Sequence, residues 1–161
     1  MGYMVIREYD VSDEDALIGL SLRAWGPAFA SFEDILGAQI FSRIYGDDWC
    51  AYQREEVRRV LHDKRTQAWV AEDDSALMGW VAAVVHSSDD AEIDMLAVEP
   101  GAGGTGIGTA LVEHATKWLT SINVRLVSIA TAADASHAAA RSVYEKAGYR
   151  PLPLVRYYKV L

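Results

Sequence analysis

Five of the 12 glycines in this chain fall within one short stretch, Val98-Glu99-Pro100-Gly101-Ala102-Gly103-Gly104-Thr105-Gly106-Ile107-Gly108. A strand-like run precedes it and a helical run follows. Glycine lets the backbone turn tightly and come close to a ligand. The first turn of a helix offers unpaired N–H groups and the positive end of the helix dipole. Together these suit an anion, most naturally a phosphate or pyrophosphate. A glycine turn without a ligand is the weaker reading of so many glycines at one strand-to-helix junction.

Two nucleotide motifs can be tested on this stretch. Gly101-x-Gly103-x-x-Gly106 matches the letters of the dinucleotide fingerprint, which is a weak signal by itself. That fingerprint belongs in a βαβ unit with an acidic residue about 20 positions further on. Here the next strand, Val124 to Ala130, contains no acid, and the first acid beyond the intervening helix is Asp134. The Walker A pattern fails because no Gly-Lys-Ser/Thr follows the glycines.

Other chemistry-bearing residues form no pattern of their own. His62, His86, His114 and His137 lack metal-ligand spacing, and Cys50 has no second cysteine, so no metal is expected. Neither Cys50 nor any serine sits in a nucleophile-elbow motif. Trp25, Phe29, Phe32, Trp49 and Tyr52 concentrate in the early helices, whereas Trp69, Trp80 and Trp118 read as core.

The elements that would position these residues follow from periodicity. Tyr3 to Tyr9 reads as a strand. Ser12 is the expected N-cap of a helix with Asp13, Glu14 and Asp15 in its first turn, ending near Gly26-Pro27. Helices over Ile35–Ile44 and Tyr52–Leu61 come next. Ala68–Glu72, Leu77–Val85 and Ala91–Val98 read as a three-strand antiparallel meander, with turns at Asp73-Asp74-Ser75 and Ser87-Ser88-Asp89-Asp90. Ile107, Leu111, Ala115, Trp118 and Leu119 then fall at helical spacing. Val124–Ala130 is a buried-type strand, His137–Ala147 a helix and Leu152–Val160 a closing strand. No repeat, linker or low-complexity tract interrupts the chain, so residues 1–161 are expected to form one mixed α/β domain.

The chain has 161 residues, with 51% apolar and 24% charged side chains, enough to bury a core without disulfides. Its net charge is −8. That disfavours nucleic acid and anionic membranes as partners. Residues 1–100 carry 20 acidic and 8 basic side chains, and residues 101–161 carry 3 and 7. The regional balances, −12 and +4, point to two different partners or to acidic turns that happen to lie early. The leading Met1-Gly2-Tyr3-Met4 stretch lacks the pattern of a signal peptide, and no apolar run can span a bilayer. A cytoplasmic location is expected.

Read from its strand onward, Val98-x-Pro100-x-x-Gly103-Gly104-x-Gly106-Ile107-Gly108 resembles the acetyl-CoA loop of the GCN5-related N-acetyltransferases, the GNAT superfamily. Ala140-x-x-x-Tyr144-Glu145-Lys146-x-Gly148-Tyr149 resembles that family's fourth helix and the strand entry after it. The order of elements agrees as well. The resemblance implies an α+β fold, a mostly antiparallel sheet flanked by helices with splayed central strands. It implies transfer of an acetyl group from acetyl-CoA to a primary amine, on a small cationic molecule or on a protein, by direct attack, without an acyl-enzyme. In such proteins the pantetheine arm bonds to backbone around Leu96, Ala97 and Val98. The pyrophosphate lies on the N–H groups of Gly103, Gly104, Thr105, Gly106, Ile107, Gly108 and Thr109. Tyr144 stands where the family places the general acid.

Some relatives draw their base from the strand before the loop, at the position of Glu92. Asp94 shares its face if no bulge intervenes. The other reading of both is as ordinary acids on an exposed strand face. Two departures stand out. Gly103 occupies the place of an Arg or Gln that often touches the pyrophosphate, and His137 replaces the usual Asn at the start of the fourth helix. His137 contacts the cofactor or merely starts the helix. The early aromatic residues lie in helices that wall the acceptor pocket in this family, and a homodimer is compatible with the resemblance. Two other functions stay open on the sequence alone: a non-catalytic acyl-CoA-binding domain, favoured by Gly103, and a nucleotide-dependent oxidoreductase, which the missing ribose-binding acid disfavours.

Overall fold

The structure is a computed structural model that describes residues 3–74 and 76–161. Met1, Gly2 and Ser75 lie outside the described residues, and with them the first two residues of the Met1-Gly2-Tyr3-Met4 stretch and the last residue of the Asp73-Asp74-Ser75 turn. Strand β1 (Val5–Glu8) leads into a short 3-10 turn and the long helix α1 (Glu14–Leu36). Helices α2 (Ala38–Tyr45) and α3 (Trp49–His62) follow. Strands β2 (Thr66–Asp73), β3 (Ala76–Val85) and β4 (Asp90–Val98) form the meander. Helix α4 (Ile107–Ser121), strand β5 (Leu126–Ile129) and helix α5 (Ala138–Lys146) complete the elements. The sheet order is β1-β2-β3-β4-β5, antiparallel except for the parallel pair β4/β5. This is the mixed α/β, mostly antiparallel arrangement expected from the sequence.

Each face of the sheet carries a core. Trp69, Val81, Ala83, Ala91 and Ile93 pack against Ile107, Leu111, Ala115 and Leu119 of α4. Val70, Trp80, Ala82, Met95 and Ala97 pack on the other face against Leu17, Leu20, Val57 and Val60 of α1 and α3. Trp80, wholly buried, donates its indole N–H to Ser21 Oγ at 2.9 Å, so no polar group of that ring is left unpaired.

Three local expectations are corrected. Asp10 caps the 3-10 turn Val11–Asp13 ahead of α1, accepting from Ser12 N and sharing a reciprocal box with Asp13, and Asp13 is the N-cap residue of α1 itself, so Ser12 is not the N-cap. Helix α1 does not stop at Gly26-Pro27 but runs on to Leu36 with Pro27 inside it. The proline removes one backbone donor. The turn beyond it buries Ala28 and Phe29 to 7% and 2% exposure, and that packing carries the helix through. The helix ends instead at Gly37, whose φ of 76° favours glycine.

The third correction is the closing strand, because residues 149–161 form no ladder. Pro151 and Pro153 lack N–H donors on alternate residues, which removes one edge's worth of strand bonds. Leu152, Leu154, Val155 and Tyr157 are 77–89% exposed along this tail.

Candidate functional site

The site is built on β4. Opposite β3, Ile93 pairs with Ala83 and Met95 with Ala82, which leaves Asp94 as an extra residue in a β-bulge. The bulge turns the strand over. Ala91 and Ile93 face α4, but Met95 and Ala97, although at the same parity, face α1 and α3. Beyond the same point β4 loses its other neighbour: the parallel ladder with β5 ends at Ile93 and Ile129. The two strands therefore part where the bulge begins. The β4 backbone from Met95 to Val98 faces an open seam on that side, with N–H and C=O groups free to bond an extended ligand.

The glycine loop lies at the end of that seam. Glu99 N donates to Met78 O at 2.8 Å, and Pro100–Ala102 makes one 3-10 turn. Gly104 and Gly106 then take φ of 79° and 87°, where a side chain would be strained. Gly106 caps α4 without a side chain. The first intrahelical bond of α4 runs from Ala110 N to Gly106 O at 2.9 Å. The N–H groups of Ile107, Gly108 and Thr109 thus have no helical acceptor, and they point along the helix axis at its positive end. A Cβ at Gly108 would meet Val143 Cγ2 at 3.4 Å and Val98 Cγ2 at 3.5 Å, ordinary contact, so packing alone does not demand glycine there. Gly103 differs from Gly104 and Gly106, since its φ of −58° suits any residue. Arg23 on α1 clamps the loop's entrance with two bonds to Glu99, at 2.9 and 2.8 Å. An open seam that leads to uncapped N–H groups fits a linear, amide-bearing chain with an anionic end.

The other expected residues separate into distinct neighbourhoods. Tyr144 on α5 packs into the α4 core, and burial pushes its phenol up to about 12. Among the described residues its hydroxyl has no hydrogen-bond partner. Glu92 lies 3.4 Å from His86 Nε2, and Asp94 lies 3.5 Å from Arg59 Nη2. Arg59 is also held by Glu56 at 3.0 Å. The two carboxylates thus have different partners, although both lie on the α1/α3 side of β4. His137 ends the 3-10 turn Ala135–His137 that opens α5, and it is buried.

On the α1/α3 side of β4 lies a cleft of about 200 Å³. Trp25, Phe29, Phe32, Tyr45 and Tyr52 wall it, with Gln53, Glu56, Arg59, Asp94 and Met95. The extension of α1 past Pro27 supplies two of these rings. Phe29 is the hub: it stacks on Trp49 with centroids 4.6 Å apart and meets Tyr45 edge-on at 5.1 Å. Gln53 is 3% exposed, and its Nε2 has no acceptor. Tyr45, Gln53 and Arg59 were not singled out by the sequence. Arg59 sits in a run of helix charges and Gln53 in the middle of it, so nothing local distinguishes either. A larger hollow of about 430 Å³ is lined only by residues between Glu33 and Trp49, none of them from the sheet or the glycine loop.

Residues 37–149, well over half the chain, match the model of the acetyltransferase (GNAT) family. The chain belongs to that family. It is 32% identical over 94 residues to a mycothiol acetyltransferase of Beutenbergia cavernae, a match covering 57% of this chain and 31% of that protein. It is 33% identical over 101 residues to the mycothiol acetyltransferase of Streptomyces avermitilis, covering 58% and 32%. The matched region spans about a third of the length of these curated relatives.

Among solved structures, the aminoglycoside N-acetyltransferase AAC(6')-Iy in complex with CoA superposes with a TM-score of 0.69 at 15% identity, over 99% of this chain and 96% of that one. The PaiA N-acetyltransferase of Thermoplasma acidophilum, in complex with coenzyme A, gives 0.69 at 19% identity, over 92% and 90%. At these identities the likeness is one of fold. The GNAT fold implied by the two sequence signatures is thus the fold observed. No helix of the described residues is long and apolar enough to cross a membrane.

Proposed function

We propose that the protein is an acetyl-CoA-dependent N-acetyltransferase that acts on a small cationic primary amine. The observation that carries this reading is the coincidence, on one strand, of the β4/β5 seam, the uncapped start of α4 and the aromatic cleft on the opposite side of the bulge. Backbone groups of Leu96, Ala97 and Val98 bond the pantetheine amides, and the N–H groups from Gly103 to Thr109 hold the pyrophosphate. The thioester supplies an activated acetyl carbonyl at the mouth of the seam. The cleft holds the amine, whose ammonium is attracted by ring faces.

The role of Tyr144 follows from its burial. With its pKa pushed to about 12, the phenol stays protonated. A thiol of ordinary pKa, about 8.5, is the stronger acid by about 3.5 units, so full proton transfer to the thiolate is uphill by about 5 kcal/mol. Tyr144 therefore acts chiefly by donating a hydrogen bond to the sulfur as charge develops there. Glu92 and Asp94, each next to a cationic or imidazole partner, set the charge around the amine.

Residues 1–161 work as one domain in this reading, in the cytoplasm. The exposed apolar tail and the open outer edge of β5 support a homodimer. Calorimetric titration with acetyl-CoA, CoA and NAD tests the cofactor, and CoA-thiol release with kanamycin, glucosamine, spermidine and lysine tests the reaction. Tight CoA binding with no amine acetylated would instead leave a non-catalytic acyl-CoA-binding domain.

A further inference from the structure

We propose that His137, held by Asp134, is the group that takes the proton from the incoming ammonium. The inference rests on the acetyl-transfer reading above. An amine with a pKa near that of lysine, about 10.4, arrives protonated at neutral pH and must lose a proton before it attacks. Glu92 and Asp94 are the carboxylates nearest in sequence to that task, but each already has a partner, at 3.4 and 3.5 Å.

The surroundings of His137 fix its tautomer. Nδ1 lies 2.7 Å from Asp134 Oδ1 and 3.0 Å from Ser136 Oγ. The Ser136 hydroxyl gives its own proton to Asp134 Oδ2, so its oxygen meets Nδ1 as an acceptor. With acceptors on that side, the neutral ring carries its hydrogen on Nδ1 and keeps a lone pair on Nε2. Nε2 has no partner among the described residues. The ring is 9% exposed. It stacks on Phe32, with centroids 5.3 Å apart and planes at 18°, and meets Trp25 edge-on at 6.1 Å. Both rings wall the acceptor cleft.

Asp134 is equally fixed. Ser31 of α1 donates to its Oδ2 at 2.6 Å, and Arg141 donates to the backbone oxygens of Ala132 and Asp134 at 2.7 and 2.8 Å. Burial works against the carboxylate's charge, but hydrogen bonds from Ser136, Ser31 and His137 outweigh it and hold the group below the usual carboxylate range. Asp134 is thus an anion whenever the enzyme works, positioned to stabilise an imidazolium. Among the described residues, the charged side chain bonded beside this pair is Arg141, which is committed to two carbonyls. From α1 the ring meets the neutral aromatic side chains of Trp25 and Phe32.

The step balances. His137 Nε2 accepts one proton from R–NH3⁺, directly or through one water. The freed amine lone pair forms the N–C bond to the thioester carbonyl. The C–S bond breaks with its electron pair on sulfur, beside the Tyr144 hydroxyl. The second proton leaves the nitrogen for the thiolate, giving CoA-SH and the amide. The imidazolium then returns its proton to water, so one proton is released per turnover.

The test uses the full chain and two variants. His137→Asn keeps a donor toward Asp134 but cannot titrate. It should lower kcat/KM about 100-fold at pH 7.5 and remove the acidic limb of the kcat/KM profile, with the Kd for CoA within threefold of wild type. Asp134→Asn should also lower kcat/KM and change the limb. Independently of turnover, 15N-imidazole NMR of the free protein should show the Nδ1–H tautomer for His137, lost in Asp134→Asn. An Nε2–H tautomer, or an acidic limb that survives in His137→Asn, overturns the proposal. A wild-type protein that acetylates none of the four amines fails at the acetyl-transfer reading, and the proton-transfer role falls with it.

Discussion

Replacing Gly103 by arginine should tighten coenzyme A binding, and the backbone says by how much. Gly103 sits at φ −58° and ψ 138°, open to any residue, and a Cβ there would find its nearest neighbour, Pro100 O, at an ordinary 3.7 Å. The substitution is therefore free of strain. It also restricts the unfolded chain, a gain of about 0.4–1 kcal/mol in stability. A charge-assisted bond from arginine to phosphate is worth about 1.5–3 kcal/mol when sheltered, and about 0.2–1 kcal/mol for an exposed pair. Gly103 is exposed, so the gain belongs in the lower range, about 0.2–1 kcal/mol, or about 1.4- to fivefold in Kd. Titration calorimetry of CoA at 50 and 300 mM NaCl would read this, with the gain shrinking at high salt. Gly104→Ala is the control. Its φ of 79° makes it cost about 1–2 kcal/mol of stability and weaken binding through the loop. If Gly103→Arg left Kd unchanged at 50 mM NaCl, the pyrophosphate would not lie over this loop. If it lowered Tm as much as Gly104→Ala, the loop's backbone would be wrong.

Two further outcomes test the core of the site. Tyr144→Phe should lower kcat by about tenfold or more and spare CoA binding, consistent with the loss of one transition-state hydrogen bond. Because the phenol is pushed up to about 12, wild-type kcat should show no basic limb between pH 9 and 11 from this group; a decline centred near 10 that vanishes in the variant would refute its burial. Gln53→Leu should hold or raise Tm, since it removes a buried donor that lacks a partner, a defect of about 1–3 kcal/mol. The same change should raise KM for the amine if the amide meets an acceptor atom on the substrate; a lower Tm would mean that the amide is bonded in the folded state.

The sequence made the second half of the site legible because its constraints are local. A glycine run between a strand and a helix can be read directly, and Gly104 and Gly106 do need their positive φ. The meander could be read from alternation, with boundaries that differ by a residue or two. What stayed hidden depends on residues far apart. Ser31 meets Asp134 across 103 positions, and no local pattern announces that pair. Pro27 reads as a helix stop, yet the rings on either side of it carry the helix onward to build the cleft. The bulge at Asp94 is invisible to a strict period of two, although it turns Met95 and Ala97 to the other face and marks where β4 leaves β5. The tail reads as a strand by its alternating apolar residues, but a strand exists only with a partner, and among the described residues no strand pairs with it.

The ion pairs change what the acidic N-terminal region can do for an incoming amine. Of its eight basic residues, Arg7, Arg23, Arg58, Arg59 and Arg65 all pair with acids of the same region. Pairing cancels the field close to each carboxylate, Asp94 beside Arg59 included, but it does not change the net charge. The attraction felt at long range is set by the −12 balance and survives intact. A cationic acceptor is thus drawn toward the α1/α3 side from a distance, and inside the cleft it meets mostly neutral rings. Losing a proton there costs less than it would beside a bare carboxylate, which would hold the ammonium form. The consequence is measurable. For spermidine, kcat/KM should fall several-fold between 50 and 300 mM NaCl as the long-range field is screened, while kcat at saturation should barely move. A kcat that falls in step with kcat/KM would place the charge effect in the chemical step and refute this division.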